Sequence, residues 1–173
     1  MSILSNLFGN RQYSIGELMN IDQNRQSRSQ GCSVKLVKTY HELKDESILD
    51  KFRSHFLGRS VVKSYYVVFK LEVISDTGNK HIVFIRTEPD FDISKYTGNK
   101  VKVYCDCSDF KYRSSYVLNK RNSLFLTDKL SSTLGPAITQ PPRANHSTTF
   151  LCKHAFAAIT WLTDNYQSIM SNI

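Results

Sequence analysis

Three of the four cysteines and one of the five histidines fall into two short motifs that could bind a metal ion. Cys105 and Cys107 enclose one residue, and Cys152 and His154 enclose another after a spacer of 44 residues. A structural zinc site takes four sulfur or nitrogen ligands in a tetrahedron, and each motif can supply two. The spacing therefore predicts one structural Zn²⁺ held by Cys105, Cys107, Cys152 and His154.

Two other roles for these cysteines fit the sequence less well. Three buried apolar cysteines would leave the charged residues Asp106 and Lys153 inside the two pairs without an explanation. A redox pair of the usual kind has two residues between its cysteines, whereas a single residue separates Cys105 from Cys107. Cys32 is the cysteine left over, and it has no histidine or acid close in sequence to activate it.

Catalysis is not expected from this chain. A metal ion with four protein ligands has no open position for water, so it cannot activate a nucleophile. The sequence contains no P-loop, GxSxG, HExxH or dinucleotide-binding motif. The remaining histidines have no carboxylate or nucleophile at a spacing that would indicate a catalytic site, and we assign them no role: His41, His55, His81 and His146. We expect a binding or assembly protein, not an enzyme, with no small-molecule substrate.

The elements that must position the four ligands can be read from periodicity. Residues 61–74 alternate so that Val67, Phe69 and Leu71 share one face while Lys70 and Glu72 share the other, which predicts a strand. A DTGN turn at 76–79 leads into HIVFIRT and predicts an antiparallel hairpin. A third strand, KVKVYC, follows a second turn at 96–99 and ends at the first two cysteines.

A C-terminal helix is predicted to begin near Phe150, because apolar residues recur there at helical spacing: Ala155, Ala158, Ile159, Leu162, Tyr166 and Ile169. Side chains two residues apart diverge by about 200° in a helix, so Cys152 must precede the helix and His154 must lie in its first turn. Cys105 and Cys107 converge if the strand remains extended. The predicted fold class is α+β, a small antiparallel sheet packed on this helix, with a zinc knuckle joining strand end to helix start.

The rest of the chain divides into an N-terminal arm at 1–31 and a single domain at 32–173 that contains the zinc site at 105–154. The arm is polar, although Ser14 and Glu17 have capping-box spacing for a short helix. A disordered tail and an arm that orders against a neighbouring subunit both remain open. We further expect a strand at 34–40, a helix at 41–57 that ends at Gly58, a short helix or irregular segment at 108–120, and a long loop at 121–148.

The formal net charge of +8 suits phosphates or an acidic protein partner. A solvated surface with no specific anionic partner is the alternative interpretation, because the basic residues are dispersed. Candidate contacts with nucleic acid or a partner lie in a basic and aromatic segment: Lys111, Tyr112, Arg113, Lys120 and Arg121. No apolar run approaches the length of a membrane span and the first residues do not read as an export signal, so we expect no membrane partner.

The order C-x-C, spacer, C-x-H resembles the SWIM-type zinc finger over residues 100 to about 165. The surrounding pattern is similar to a variant found in small virion structural proteins of tailed bacteriophages. Its matching residues are Cys105, Cys107, Asp109, Phe110, Tyr112, Arg113, Pro142, Asn145, Cys152, Lys153 and His154. The spacer is longer than in typical SWIM fingers.

This resemblance implies a structural virion component, such as a head-to-tail connector, neck or tail-completion subunit. It would be made in the host cytoplasm and assembled in the virion with other virion proteins, as part of a symmetric ring or connector, with DNA as a further contact. The alternative is a SWIM-like module that binds nucleic acid or protein inside the cell. Ring-like oligomers or presence in particles favour the first, whereas a monomer whose DNA binding depends steeply on salt favours the second.

Overall fold

The central element is a four-stranded antiparallel sheet in a computed structural model that describes residues 12–22, 25–44, 64–89, 91, 99–139 and 151–172. The strands are β1 (Ser33–Leu43), β2 (Tyr65–Ile74), β3 (Lys80–Thr87) and β4 (Val101–Cys105), in the order β1-β2-β3-β4. The helices are α1 (Ile15–Ile21), α2 (Gln26–Ser29), α3 (Ser115–Lys120), α4 (Asp128–Leu134) and α5 (Lys153–Met170). A π-helical turn, Phe110–Ser114, precedes α3, and a 3₁₀ turn, Gly135–Ile138, follows α4.

The strands form where apolar residues alternate. Val67, Phe69 and Leu71 of β2 are buried on one face, as their period of two predicts. The predicted hairpin between β2 and β3 is present, with Ile74 paired to Lys80. Gly78 in its turn has φ +80°, a left-handed conformation that glycine adopts without a steric penalty.

Helix α5 packs its apolar stripe on one face of the sheet, where the Tyr166 ring lies edge-on to Phe69 with centroids 6.0 Å apart. The predicted residues Ala158, Ile159 and Leu162 are buried there. The predicted α+β fold, a small antiparallel sheet against a C-terminal helix, is therefore confirmed. No helix in the part of the chain that the structure describes is both long and apolar enough to cross a membrane.

The first described residues pack into the core, in contrast to the predicted arm. Ile15 and Leu18 of α1 are fully buried. The Tyr13 N–H donates to Ser123 Oγ at 2.7 Å, and Asp22 Oδ2 accepts the Leu151 N–H at 2.7 Å. Two apolar side chains on a two-turn helix are too few to produce a visible periodicity, and hydrogen bonds to distant residues complete the attachment. Residues 1–11 lie outside the described part of the chain.

The capping box predicted for this helix is confirmed. Ser14 Oγ accepts the Glu17 N–H at 3.2 Å, and Glu17 Oε2 accepts the Ser14 N–H at 2.9 Å. Each side chain satisfies a backbone donor that the first helical turn would otherwise leave free. The start of α1 is thus determined by local chemistry, whereas its place in the core depends on residues more than 80 positions away, since the Ile15 N–H donates to the Asn99 carbonyl.

Two further expectations differ from the structure, and one open alternative is decided by it. Strand β1 continues to Leu43, so no helix begins at His41, and the remainder of that predicted helix, with Gly58, lies outside the described residues. Residues 108–120 are helical, one of the two alternatives. The predicted loop at 121–148 contains α4, capped by Thr127, whose Oγ1 accepts the Leu130 N–H at 3.3 Å. Only Leu134 of α4 is buried, which explains why no helical period was visible.

Candidate metal centre

The two cysteine-containing motifs meet at one end of the sheet, on the face that α5 covers. One potential ligand atom from each of Cys105, Cys107, Cys152 and His154 lies within 4.8 Å of the others. All four side chains are buried, with no more than 6% of any of them exposed. A tetrahedral site with Zn–S bonds of 2.3 Å places its sulfurs about 3.8 Å apart, so this spacing is compatible with a bound metal ion.

Cys105 and Cys107 converge through a change of backbone conformation. Strand β4 ends at Cys105, and the Asp106 N–H makes one more bond to β3, donating to the Ile82 carbonyl at 3.2 Å. Cys107 then begins a helical segment, because its carbonyl accepts the Lys111 N–H at 3.0 Å. Its Sγ accepts the Phe110 N–H at 3.3 Å. The expected convergence occurs, but a helix start and not continued strand alternation directs the second sulfur.

Cys152 and His154 occupy the positions predicted for them. Cys152 is the N-cap of α5, with extended backbone angles, and His154 is in the first turn. Cys152 Sγ accepts the Ala155 N–H at 3.3 Å, as a serine or aspartate oxygen would at this position. The positive end of the helix dipole therefore lies against a sulfur, which favours its thiolate form.

The three thiols influence one another strongly. Burial raises the pKa of Cys105 and of Cys152, because the charged thiolate loses contact with water. Hydrogen bonds from Cys105 and Cys152 hold the pKa of Cys107 well below its usual value. A cation at their centre would stabilise the thiolate form of all three sulfurs.

His154 provides a separate reason to expect a ligand at this point. Both ring nitrogens, Nδ1 and Nε2, are buried, and neither has a hydrogen-bond partner among the residues that the structure describes. A buried polar atom without a partner carries a free-energy cost of about 1–3 kcal/mol. Coordination to a metal would satisfy one of these nitrogens, so the chemistry of the residues fits a metal site.

His81 is a neighbour of the cluster to which the sequence analysis assigned no role. Its ring stacks on the His154 ring with centroids 4.0 Å apart and an angle of 30° between the planes. His81 Nδ1 lies 3.1 Å from Asp106 Oδ1, and Asp106 Oδ2 accepts the Ile82 N–H at 3.1 Å. The pairing of β3 with β4 could have indicated this contact. Val83 of β3 pairs with Cys105 of β4, so His81, two residues before Val83 on the same face, lies beside the two cysteines.

Ion pairs border the cluster on its solvent side. Lys153 Nζ lies 2.6 Å from Asp76 Oδ1, linking the start of α5 to the β2–β3 turn. Asp109 lies 3.0 Å from Arg113 Nε and 3.6 Å from an Arg25 guanidinium nitrogen. Cys107 and His154 line an open cleft of about 610 Å³ among these groups. The cluster is thus closed by protein on the sheet side and reachable from this cleft.

The five residues predicted to contact nucleic acid or a partner do not join the cluster. All five have partners within the chain. Lys111 Nζ donates to the Thr133 carbonyl at 3.0 Å, Arg113 pairs with Asp109, and the cations of Lys120 and Arg121 lie over the rings of Tyr116 and Tyr13. The Tyr112 ring lies beneath the Lys111 ammonium, although 64% of the Tyr112 surface is exposed. These contacts provide an internal explanation for most of the basic and aromatic segment.

Comparison with models of known protein families, with curated proteins and with solved structures finds no match to this chain.

Proposed function

We propose that Cys105, Cys107, Cys152 and His154 hold one structural Zn²⁺. The observation that carries the proposal is His154, buried without a partner for either ring nitrogen and within 4.8 Å of three sulfurs. The donor set selects the metal, because thiolate and imidazole ligands suit zinc whereas calcium and magnesium take oxygen ligands. Four protein ligands leave no position for water, so the ion would act in folding and not in catalysis.

The metal would join the end of β4 to the beginning of α5. The 44 residues between Cys107 and Cys152 contribute six buried apolar side chains among their described members, so packing and the metal would hold this segment together: Phe110, Leu118, Leu124, Phe125, Leu134 and Leu151. Closing the loop at its base through one ion would fix the helix on the sheet, and the entropy cost of closure rises only slowly with loop length. Structural zinc in small domains contributes to folding directly in this way.

Metal analysis of chain purified without chelator tests the site. We expect one zinc per chain in the parent and in Cys32→Ser, since Cys32 lies outside the cluster. Cys152→Ser should lose the metal, because it removes one of three sulfurs. A folded parent with almost no metal would refute the proposal, and so would a Cys152→Ser variant that keeps its zinc.

We further propose that the chain is a structural virion component of a tailed bacteriophage, a head-to-tail connector, neck or tail-completion subunit. The resemblance of the knuckle and its flanking residues supports this assignment. A second support is the outermost strand β1, in which Val37 and Leu43 are exposed apolar residues available to a neighbouring subunit.

Two measurements separate this role from its alternative, an intracellular SWIM-like module. The first is the mass of the purified chain in solution, where a connector subunit should form defined rings. The second is mass spectrometry of purified particles, where it should be present in a constant ratio to the other virion proteins. A chain that stays monomeric at high concentration and is absent from particles would favour the intracellular module, for which the exposed Tyr112, beneath the Lys111 ammonium at 5.7 Å, is a candidate contact.

A further inference from the structure

The two faces of the sheet differ completely in charge. Strand residues that face α5 include no lysine, arginine, aspartate or glutamate. All the charged residues of the four strands point to the opposite face, here called the outer face: Lys35, Lys38, Glu42, Lys70, Glu72, Lys80, Arg86 and Lys102. Six cations against two acids make this face strongly basic, although the basic residues appear dispersed in the sequence.

Four of these cations form a continuous band, one from each strand. Lys38 of β1 is directly opposite Lys70 of β2, and Arg86 of β3 is directly opposite Lys102 of β4. Lys70 pairs with Phe84, so Arg86, two residues further along β3, is its diagonal neighbour. Neighbouring strands are about 4.8 Å apart, so the band spans roughly 14 Å across the sheet. We call Lys38, Lys70, Arg86 and Lys102 the cationic band.

The band is unfavourable for the isolated chain. Like charges directly opposite each other on neighbouring strands destabilise a sheet, and the band contains two such pairs. Burial and repulsion by Arg86 both lower the pKa of Lys102. Such an arrangement is expected where a ligand of opposite charge compensates for the repulsion.

Internal acids compensate for the band only in part. Arg86 lies 3.5 Å from Glu42 Oε2 and stacks on the Tyr66 ring at 4.0 Å. Lys102 donates to Asn122 Oδ1, a neutral acceptor, at 2.8 Å. Lys38 and Lys70 have no acidic partner among the described residues, and the Lys70 ammonium lies 6.0 Å from the centre of the Phe84 ring. At least two full positive charges are therefore available at the β1–β2 side of the face.

We propose that the outer face binds the phosphate backbone of a nucleic acid along the cationic band. A row of four cations across the sheet fits a polyanion that carries one charge per repeat, and contacts of this kind are independent of base sequence. The surface is separate from the metal centre, which lies on the opposite face. None of the residues in the band belongs to the basic segment expected from the sequence.

Binding of a fluorescently labelled DNA of about 30 nucleotides, single-stranded and duplex, tests the proposal across a range of salt concentrations. Each neutralised duplex phosphate contributes a slope of about −0.9 in log K against log salt, so four contacts give about −3.6. The variant Lys38→Gln/Lys70→Gln should reduce the slope to about −1.8 and weaken binding roughly 30-fold at about 0.15 M salt.

Lys111→Gln/Lys120→Gln is the matched control, because it removes the same charge from side chains outside the band. It should change the affinity by less than about two-fold, since those lysines neutralise no phosphate in this proposal. An equal loss in both variants, or a parent that does not bind DNA at low salt, overturns the proposal. If polyglutamate displaces the labelled DNA as effectively as unlabelled DNA does, the outer face binds an acidic protein and the proposal is wrong. The zinc content of the same samples is also measured. If only the metal proposal is wrong, the zinc content will be low but DNA binding should persist, so the two failures can be told apart.

Discussion

Cys107 and Cys152 each accept the backbone N–H of the third residue after them, and both N···S distances are 3.3 Å. Two helical segments therefore begin at the candidate metal centre, each with a sulfur in the position where a capping oxygen usually lies. Each sulfur has two roles, since it would bind the metal and it satisfies the first turn of a helix. Replacing either one should cost more than the loss of a ligand alone.

Cys107→Ala and His154→Ala should therefore differ in severity. The first variant loses an anionic ligand and a helix cap, and we expect it to be unfolded or aggregated. The second keeps three sulfurs and should fold only with excess zinc. Structural zinc contributes on the order of 10 kcal/mol in zinc-finger peptides, comparable to the total stability of a domain. Thermal melts with and without a chelator measure both effects, and melts identical to those of the parent would exclude these residues as ligands.

The packing of α1 predicts that the N-terminal segment contributes to stability. Leu18→Ala should lower the free energy of unfolding by about 2–5 kcal/mol, because the side chain is fully buried. Ile21→Ala on the same helix is the control, since 42% of that residue is exposed, and it should change stability by less than about 0.5 kcal/mol. Urea unfolding of both variants gives the comparison. Equal effects would mean that α1 is not anchored in the core in solution.

His81 should act as a positioning residue for His154. Loss of a hydrogen-bonding partner of a metal ligand typically weakens metal binding by about 10–100-fold. The His81 ring contacts the His154 ring without a hydrogen bond, so we expect His81→Ala to lose about 10-fold or less in a competition titration with a chromophoric chelator, and Asp106→Asn to lose less than His81→Ala. His41→Ala is the control, because His41 lies on the same sheet face away from the cluster. Unchanged zinc affinity in His81→Ala would leave the stacked ring with only a packing role.

Charge reversal on β1 should change stability in opposite directions at two neighbouring positions. Lys38→Glu replaces the like-charge pair with Lys70 by an attractive pair, so stability should rise by about 0.2–1 kcal/mol. Lys35→Glu creates a like-charge pair with Glu72 and should lower stability by a similar amount. Both effects should decrease in high salt. Chemical unfolding at low and high ionic strength measures them, and a stability loss in Lys38→Glu would contradict the predicted repulsion.

Local periodicity predicted the parts of the fold that bury a regular face. The alternation in β2, the glycine turn to β3 and the helical stripe of α5 each contain enough apolar residues to indicate their own structure. Helices α1 and α4 do not, because two turns bury only one or two side chains and distant residues decide where they pack. For α1 those residues include Ser123 and Leu151, which no local pattern connects with Tyr13 or Asp22.

The candidate site, like the fold, was only partly predictable from the sequence. Residue type and spacing were sufficient to predict that the four candidate ligands converge, and the backbone requirement at Cys152 followed from helix geometry. His81 and the cationic band were missed because both depend on strand register. His81 approaches the cluster across β3, and Lys38 and Lys70 are 32 positions apart in the sequence but directly opposite in the sheet.

The β-bulge between Leu36 and Lys38 affects how strand β1 can contact other copies of the chain. An outermost strand presents free backbone donors and acceptors that can template the addition of another chain, which is a route to aggregation. A bulge bends such a strand, and the exposed lysines Lys35 and Lys38 on either side of Val37 repel a second copy. Among the described strands, the outermost strand β1 therefore resists edge-to-edge backbone pairing with another copy, which is a different contact from side-chain packing through Val37 and Leu43.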